Sequence, residues 1–269
     1  MTSPTTSLCG AMVFLRSTLF QILFYTVTLL LMILFAPVML LPRRWGWWVV
    51  PTWSRVLQLL MRVFAGIKVE VRGRENLPEG GFIAAMKHQS AWETVAMIPL
   101  FRSPTFILKR ELRWIPIFGW YTAKFKQIPI NRGKRTEALA AMMQAAKQAI
   151  AEKRQILIFP EGTRRPAGAE PKYKFGIAHL YRDLKCPVVP IAHNAGLYWP
   201  RASWKVYPGT VIVEILPPIE PGLAPNAFYG RMVTEIEAAS DRLIEEARAA
   251  SKPSPVLEDV DTRRKAQPA

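Results

Sequence analysis

Cysteine and histidine are scarce in this chain of 269 residues. The two cysteines, Cys9 and Cys186, form no Cys-x-x-Cys motif, so we expect no disulfide and a reducing compartment. The three histidines, His88, His179 and His193, are too few to suggest a multi-histidine metal site.

Acidic residues are also in short supply, with 20 Asp and Glu against 36 Lys and Arg and a net charge of +16. This imbalance predicts an anionic partner, namely nucleic acid, an anionic bilayer or a phosphorylated substrate. Zinc-finger spacing and glycine-aromatic RNA-binding signatures are absent from the sequence, which argues against nucleic acid. The apolar N-terminal region favours the bilayer.

The N-terminal region contains a long uncharged run at residues 17–42, flanked by Arg16 and by Arg43 and Arg44. A helix that spans a bilayer needs about 20 apolar residues, so this run is long enough. It ends without the small-x-small site of a signal peptide, so a retained membrane anchor is the preferred interpretation. The sequence leaves open whether the run spans the bilayer or turns back, with Pro37 as the candidate turning point.

A second helix is predicted over residues 53–64, because its polar side chains fall within one arc of about 100°. It follows a tryptophan cluster at residues 45–53, and indole rings favour the bilayer edge. The helix either lies half-buried against the following domain or lies on the membrane surface, and one helix can do both. One arginine precedes the apolar run and four follow it before residue 65, which predicts a cytoplasmic body.

From residue 66 onwards, short apolar runs alternate with helical patterns. Strands are predicted at residues 67–71, 81–86, 105–108, 127–130, 156–159, 187–192 and 211–215, and helices from residue 90 and at 134–153, 174–184 and 225–250. This order predicts an α/β fold: a mixed, mostly parallel sheet flanked by helices and preceded by the membrane anchor. The expected division is an anchor with an interfacial helix at 1–65, a catalytic domain at 66–250 and a disordered tail at 251–269.

His88 and Glu93 form the first polar cluster, directly after the strand predicted at 81–86. Ser90-x-x-Glu93 is also a capping box, which explains the carboxylate without any catalysis. It does not explain His88, which is expected on the loop just before the helix, within reach of Glu93. A carboxylate in that place would fix the tautomer of a histidine that acts as a base.

The second cluster follows the strand predicted at 156–159 and has the sequence Phe-Pro-Glu-Gly-Thr-Arg at residues 159–164. Loops at the carboxyl ends of parallel strands meet at the ligand crevice, so both clusters are expected in one cleft. Arginine binds phosphate oxygens with a two-pronged fork, which predicts an anion clamp. The alternative is a surface turn with solvated charges.

Four motifs in this order resemble the 1-acyl-glycerol-3-phosphate acyltransferases and, more broadly, the glycerophospholipid acyltransferases. His88-x4-Glu93 is similar to the first family motif, His-x4-Asp, and residues 125–132, ending in Arg132, are similar to the second. Residues 159–164 match the third motif, and residues 188–191 resemble the fourth, a hydrophobic strand with a central proline. The resemblance extends over residues 65–220 and is specific because four motifs keep their order.

The resemblance implies a role for each matched residue. His88 would be the general base that deprotonates the acceptor hydroxyl, and Glu93 would orient it. The substrate-binding residues for the glycerol phosphate would be Arg132, Glu161, Gly162, Thr163 and Arg164. Pro190 would shape the acyl-donor side.

Two departures from the family pattern concern the first motif. The usual Asp is Glu93, which keeps the charge and extends the reach by one methylene group. Lys87 stands where asparagine is frequent, and we expect its ammonium to point away from His88, because a nearby cation would disfavour the imidazolium. Asn131 stands where the second motif often has Asp, which leaves Arg132 in place.

The implied activity is transfer of an acyl group from a thioester to lysophosphatidic acid, giving phosphatidic acid, without an acyl-enzyme, a cofactor or a metal. The acyl donor would be acyl-CoA or acyl carrier protein, and membrane lipids would be partners. The implied location is the inner membrane of a bacterium. Two alternatives remain: an acyltransferase for another lysolipid, with a larger headgroup or an acylated amino acid, and a non-catalytic, basic lipid-binding scaffold.

Overall fold

The fold is built on seven strands and nine helices within the part of the chain that the computed structural model describes, residues 4–130 and 135–266. The strands are β1 (Ile67–Arg72), β2 (Phe82–Met86), β3 (Pro104–Lys109), β4 (Ile128–Ile130), β5 (Gln155–Ile158), β6 (Val188–His193) and β7 (Gly209–Ile215). The α-helices are α1 (Pro4–Leu34), α2 (Arg43–Gly46), α3 (Val49–Leu60), α4 (Trp92–Ala96), α5 (Phe118–Lys124), α6 (Arg135–Ala151), α7 (Gly176–Leu184), α8 (Pro225–Ala249) and α9 (Val256–Lys265). The predicted α/β class and all seven predicted strands are confirmed.

One mixed sheet contains all seven strands, in the order β1-β7-β6-β2-β5-β3-β4. The strands β6, β2, β5, β3 and β4 are mutually parallel, whereas β7 is antiparallel to β6 and parallel to β1. The carboxyl ends of five strands therefore meet at one edge. That edge is where an open α/β sheet places its ligand crevice.

The sheet is covered on both faces, as its continuously apolar central strands predict. Alternate residues of β2 separate into the two cores: Phe82 packs in a cluster with α1 and α3, and Ile83 in a cluster with α6, α7 and α8. All five residues of β2 are buried. The rigid centre of the molecule thus leads directly into the loop that carries His88.

The N-terminal region forms a helical hairpin instead of one continuous span. Helix α1 ends at Leu34, and a 3₁₀ helix at Ala36–Leu40 with Pro37 in its first turn begins the return. At the open end of the hairpin, Nε of Arg16 donates to the carbonyl oxygen of Phe64 at 2.9 Å. The stretch Gly10–Leu34 is long and apolar enough to cross a membrane. Its buried residues are Ser17, Phe20, Gln21 and Phe24.

The second half of α1 contacts the following domain. At the middle of the helix, Oγ of Ser17 accepts a hydrogen bond from the backbone N–H of Val206 at 2.9 Å. Near its end, the hydroxyl of Tyr121 donates to the carbonyl oxygen of Met32 at 2.9 Å. The helix therefore lies along the domain between these two residues.

The chain beyond residue 250 is the main difference from the sequence-based prediction. The prediction of a disordered tail is wrong for residues 251–266, because α9 folds back onto the domain. Val256, Leu257 and Val260 are buried on one face of α9, and Arg263 donates to the carbonyl oxygen of Ala167 at 3.0 Å. This helix packs on the loop that continues from the second polar cluster.

Candidate active site

The two polar clusters meet because β2 and β5 are adjacent parallel strands. His88 follows the end of β2, and the loop 159–165 follows the end of β5. Two backbone contacts join them: the N–H of His88 donates to Oε2 of Glu161 at 2.8 Å, and the N–H of Arg165 donates to the carbonyl oxygen of His88 at 2.7 Å. The two polar clusters therefore lie side by side at the carboxyl edge of the sheet.

Glu93 holds the imidazole ring of His88 from its Nδ1 side. The distance from Nδ1 of His88 to Oε1 of Glu93 is 2.8 Å, and the same oxygen accepts the N–H groups of Gln89 at 2.9 Å and Ser90 at 2.8 Å. Because a carboxylate only accepts hydrogen bonds, Nδ1 carries the proton and Nε2 keeps a free lone pair. His88 lies on the loop before α4, as predicted.

The capping interpretation of Ser90 and Glu93 is also correct in part. Glu93 reaches back to the N–H of Ser90, and Oγ of Ser90 accepts the N–H of Trp92, the first residue of α4, at 3.1 Å. The carboxylate of Glu93 therefore binds the backbone just before the start of α4 and also orients the ring of His88. The sequence presented these as competing explanations, and the geometry satisfies both.

Glu93 is fully buried and still ionised. Burial alone would raise the pKa of its carboxyl group, but the hydrogen bond from His88, the nearby His193 and the backbone N–H of Ser90 outweigh burial and hold the pKa below its usual value. The carboxylate is then available to stabilise an imidazolium on His88.

Aromatic stacking fixes the plane of the His88 ring. The ring of Phe159 stacks on it with centroids 4.1 Å apart and 17° between the planes, and Phe106 stacks on the far side of Phe159 at 6.2 Å. Phe159 was visible in the sequence as part of the second cluster, but its contact with His88 was not. The base is therefore held by a carboxylate at its edge and an apolar wall at its face.

The side chain of Glu161 is buried against the backbone of His88, and the substrate-binding role that the resemblance implies for it stays a prediction. It is 2% exposed, and its Oε2 accepts the N–H of His88. A buried carboxylate would also repel a phosphate. The geometry favours a role in positioning His88.

Lys87 points away from the imidazole ring, as expected from the sequence. Its Nζ lies 2.5 Å from Oε1 of Glu237 and 3.9 Å from Oε1 of Glu161, and it lies over the ring of Tyr173. The hydroxyl of Tyr173 donates to the same oxygen of Glu237 at 2.5 Å. One buried ammonium thus lies between two carboxylates, and sequence analysis did not identify Glu237 or Tyr173 because they lie far along the chain.

We expect Glu161→Gln to stabilise the protein increasingly as the pH rises. Burial raises the pKa of Glu161 to about 7 from an ordinary 4.5, against the opposing effects of Lys87 and the N–H of His88. Between pH 4.5 and about pH 7, Glu161 loses its proton in the unfolded chain but keeps it in the folded chain. The free energy of unfolding of the wild type therefore falls as the pH rises through this range. Above pH 7 the loss is complete, at roughly 3 kcal/mol.

The glutamine retains an oxygen for the N–H of His88 but does not titrate. Urea unfolding in detergent at pH 5 and pH 8 measures the effect, which should appear as a larger stability gain at pH 8. Glu170→Gln is the control, because Glu170 is exposed and paired only with Lys172. An equal gain for Glu161→Gln at both pH values would contradict the prediction.

The loop after β5 presents two guanidinium groups. Residues 159–162 form a turn in which the N–H of Gly162 donates to the carbonyl oxygen of Phe159 at 2.9 Å, and Gly162 adopts a left-handed φ of 70°. Thr163 is exposed. The Nε atoms of Arg164 and Arg165 are buried and have no hydrogen-bond partner within the described part of the chain. An anion would satisfy them.

Arg132 and Pro190 are the remaining predicted site residues. Arg132 lies outside the described residues, although β4 ends two residues before it at the same edge of the sheet. Pro190 is buried in the middle of β6, opposite Ala85. Proline has no N–H to donate, but Pro190 lies just before the first residue pair between β6 and β7, so no hydrogen bond of that pairing is lost. Its carbonyl oxygen accepts the N–H of Leu216 at 3.0 Å.

His193 lies close to the site but is fully engaged. Its Nε2–H donates to the carbonyl oxygen of Lys87 at 2.9 Å, and its Nδ1 accepts the N–H of Ala195 at 3.3 Å. Burial lowers its pKa, which keeps the ring neutral. Across residues 4–130 and 135–266, no group of three or more His, Cys, Asp or Glu side chains is arranged to hold a metal ion.

Comparison with known proteins places this geometry in a family. A family model described as Acyltransferase matches residues 68–194. The 1-acyl-sn-glycerol-3-phosphate acyltransferase of Pseudomonas aeruginosa is 40% identical over 205 residues, which are 76% of this chain and 78% of that protein. The protein of the same name from Saccharomyces cerevisiae is 30% identical over 62% of this chain and 56% of its own length.

The fold has a counterpart among solved structures. The crystal structure of the 1-acyl-sn-glycerophosphate (LPA) acyltransferase PlsC from Thermotoga maritima aligns with a TM-score of 0.71 over 88% of this chain and 98% of that chain, at 23% identity. That likeness concerns the fold. Since the 40% identity to the Pseudomonas aeruginosa protein extends over three quarters of both chains, the chain belongs to the 1-acyl-sn-glycerol-3-phosphate acyltransferase family.

Proposed function

We propose that this enzyme transfers a fatty acyl group from an acyl thioester to the free hydroxyl of 1-acyl-glycerol-3-phosphate, giving phosphatidic acid for phospholipid synthesis. The observation that carries the proposal is the Nε2 lone pair of His88, whose ring Glu93 orients, next to a loop with two arginines whose Nε atoms have no hydrogen-bond partner among the described residues. A base beside an anion site suits an acceptor that has both a hydroxyl and a phosphate. The names of the relatives support the same acceptor.

The reaction needs one base and no covalent enzyme intermediate. Nε2 of His88 takes the proton of the acceptor hydroxyl while the hydroxyl oxygen attacks the thioester carbonyl carbon. As the tetrahedral intermediate collapses, the C–S bond breaks, and the imidazolium returns the proton to the departing thiolate. Glu93 stabilises the imidazolium between these steps, and the stack on Phe159 keeps the ring in plane.

We expect Arg164→Ala to raise the KM for lysophosphatidic acid tenfold to a hundredfold with little change in kcat. A charge-assisted hydrogen bond is worth about 1.5–3 kcal/mol, and the buried Nε of Arg164 has no competing partner among the described residues. Steady-state kinetics on lysophosphatidic acid and on monoacylglycerol measure the effect. Arg164→Lys keeps the charge and loses the two-pronged fork, so its KM for lysophosphatidic acid should lie between those of the wild type and Arg164→Ala.

A phosphate-binding role for Arg164 predicts no change on monoacylglycerol. An equal loss on both acceptors would show that Arg164 supports the loop instead. Arg165 and Arg132 are proposed as the other cations of the same clamp, Arg165 because its Nε is also unpaired.

The helical hairpin is proposed as the membrane anchor. Because α1 contacts the domain at both Ser17 and Met32, this half of the helix would lie in one face of the bilayer with its apolar side towards the lipid, and would not cross it. Along α1, the exposed large side chains include Leu15, Ile22, Leu29 and Leu34. We also propose that residues 1–65 form the anchor and that the catalytic domain begins at residue 66. This domain is proposed to lie on the cytoplasmic side of a bacterial inner membrane.

The test of the proposal is a panel of acceptors and donors assayed with the purified full-length enzyme. Lysophosphatidic acid should be the preferred acceptor over lysophospholipids with larger headgroups and over acylated amino-acid lipids, and acyl-CoA and acyl carrier protein thioesters compare the two donor classes. A preference for a larger headgroup would replace the proposed acceptor. Failure to acylate any of them would favour the lipid-binding scaffold.

A further inference from the structure

The segment Arg110–Trp120 exposes large apolar side chains that the proposed reaction does not use. Trp114 is 75% exposed, Trp120 is 62% exposed and Ile115 is 46% exposed. Side chains of this size rarely stand free in a group on a soluble surface, and such groups mark contact sites. The segment comprises a 3₁₀ helix at Arg110–Trp114, a turn and the start of α5.

The position of the segment relates it to both the cleft and the anchor. It follows the end of β3, which is parallel to β5 and adjacent to it, so it lies at the same sheet edge as His88. Helix α5 also touches the anchor: the hydroxyl of Tyr121 donates to the carbonyl oxygen of Met32, and Nζ of Lys124 donates to that of Met39 at 2.8 Å. The exposed surface is therefore continuous with the return of the hairpin, where Leu40 is 90% exposed.

The turn that presents these side chains is fixed in an unusual conformation. Ile117 has φ of 63° and ψ of −53°, and the N–H of Phe118 donates to the carbonyl oxygen of Pro116 at 2.6 Å, which defines a strained γ-turn. A β-branched residue with positive φ is rare, and such strain persists only where the surroundings impose it. A Cβ at Gly119 would lie 2.0 Å from the carbonyl oxygen of Arg113, so the backbone approaches itself closely here. The exposed side chains thus stand on a rigid support.

Charge indicates which partner fits this surface. Lys109, Arg110 and Arg113 are exposed, and none of the three forms an ion pair with another described residue. Glu111 is the one acidic side chain among residues 109–120. Tryptophan rings beside arginine and lysine are typical of the bilayer interface, where rings lie at headgroup level and cations contact lipid phosphates.

We propose that the segment Arg110–Trp120 is a second membrane-contact element, which inserts Trp114, Ile115 and Trp120 into the interface of an anionic phospholipid bilayer. This inference rests on the proposed membrane-linked function. Arg110 and Arg113 bind lipid phosphates, and the element and the hairpin together hold the cleft edge against the lipid surface. A lipid acceptor then reaches His88 without leaving the bilayer.

The test compares the full-length double variant Trp114→Ala/Trp120→Ala with the wild type on two forms of the acceptor. On long-chain lysophosphatidic acid embedded in phosphatidylglycerol-containing vesicles, we expect at least a tenfold rise in the vesicle concentration needed for half-maximal rate. On a short-chain, water-soluble lysophosphatidic acid, the rate should stay within twofold. Both side chains are exposed, so their removal leaves the core intact.

Leu223→Ala is the matched control, because Leu223 is an exposed apolar residue (40% exposed) that lies away from the anchor. Its N–H donates to the hydroxyl of Tyr181, which belongs to the core packed against α6, α7 and α8. Arg110→Gln/Arg113→Gln should weaken the response to anionic vesicles and spare that to zwitterionic ones. An unchanged vesicle dependence in the tryptophan variant would overturn the proposal, as would an equal loss on the soluble acceptor.

A binding measurement separates this proposal from the proposed reaction. Brominated lipids quench tryptophan fluorescence at the interface, and the double variant should lose part of the quenchable fraction. That result would support the contact element even for an enzyme that prefers another acceptor. A quenchable fraction equal to that of the wild type would refute it, whatever the reaction.

Discussion

His88→Ala is expected to lower acyl transfer by a factor of about 10²–10⁴ while the protein remains folded and attached to membranes. General-base catalysis contributes about 10²–10⁴ in rate, and no second described base stands at Nε2 of His88. His193, the nearest histidine in the fold, has both ring nitrogens engaged and cannot replace it. The measurement is kcat/KM on lysophosphatidic acid, with circular dichroism and vesicle flotation as checks of folding and attachment.

His179→Ala is the matched control for this prediction. His179 lies on α7, where its ring packs edge-on against Phe175, and it has no contact with either polar cluster. Its removal should leave kcat/KM within a few fold of the wild type. Transfer by His88→Ala at a rate near that of the wild type would eliminate the proposed mechanism, and an unfolded variant would be replaced by His88→Gln for the same comparison.

The sheet could be predicted from the sequence because its central strands are short, apolar and separated by polar turns. The pattern also identified the edge at which His88 and the loop after β5 meet, since parallel neighbours share one carboxyl edge. The pattern did not reveal the strand order beyond that. Strand β7 pairs with both β6 and β1, and its pairing with β1 joins residues more than a hundred positions apart.

The site was predictable only as far as local sequence determines it. Glu93 is five residues from His88, so their contact followed from loop and helix geometry. The pair Lys87–Glu237 joins residues 150 positions apart, and no local pattern indicates it. The role predicted for Glu161 came from the family resemblance, whereas its burial beside His88 is a property of tertiary packing.

The segment that the sequence left without structure is the one with the least regular pattern. Residues 110–124 combine a 3₁₀ helix, a strained turn at Ile117 and the short helix α5, none of which has a sustained hydrophobic period. The tail was missed for a related reason. Its apolar residues Val256, Leu257 and Val260 are few, and their burial depends on a groove beside Ala167 that only the folded domain provides.

Glu93→Gln is expected to lower kcat by a factor of about 10²–10⁴ with little change in the KM for either substrate. The amide is nearly the same size and its oxygen can still accept the N–H groups of Gln89 and Ser90, so the loop and α4 should form. What disappears is the negative charge that stabilises an imidazolium on His88. Loss of such a buried carboxylate in a histidine-based site lowers rates by up to about 10⁴.

Glu93→Asp tests whether the charge of residue 93 is sufficient or whether its side chain must also have the length of glutamate. The aspartate keeps the charge and restores the residue usual in the family motif, but its carboxylate is one methylene group shorter. It cannot retain Nδ1 of His88 and the N–H groups of Gln89 and Ser90 together without movement of the loop, because all three converge on one oxygen at 2.8–2.9 Å. We therefore expect the kcat of Glu93→Asp to lie between those of the wild type and Glu93→Gln. If Glu93→Gln retained the wild-type kcat, Glu93 would be only a helix cap, and His88 would act without a partner.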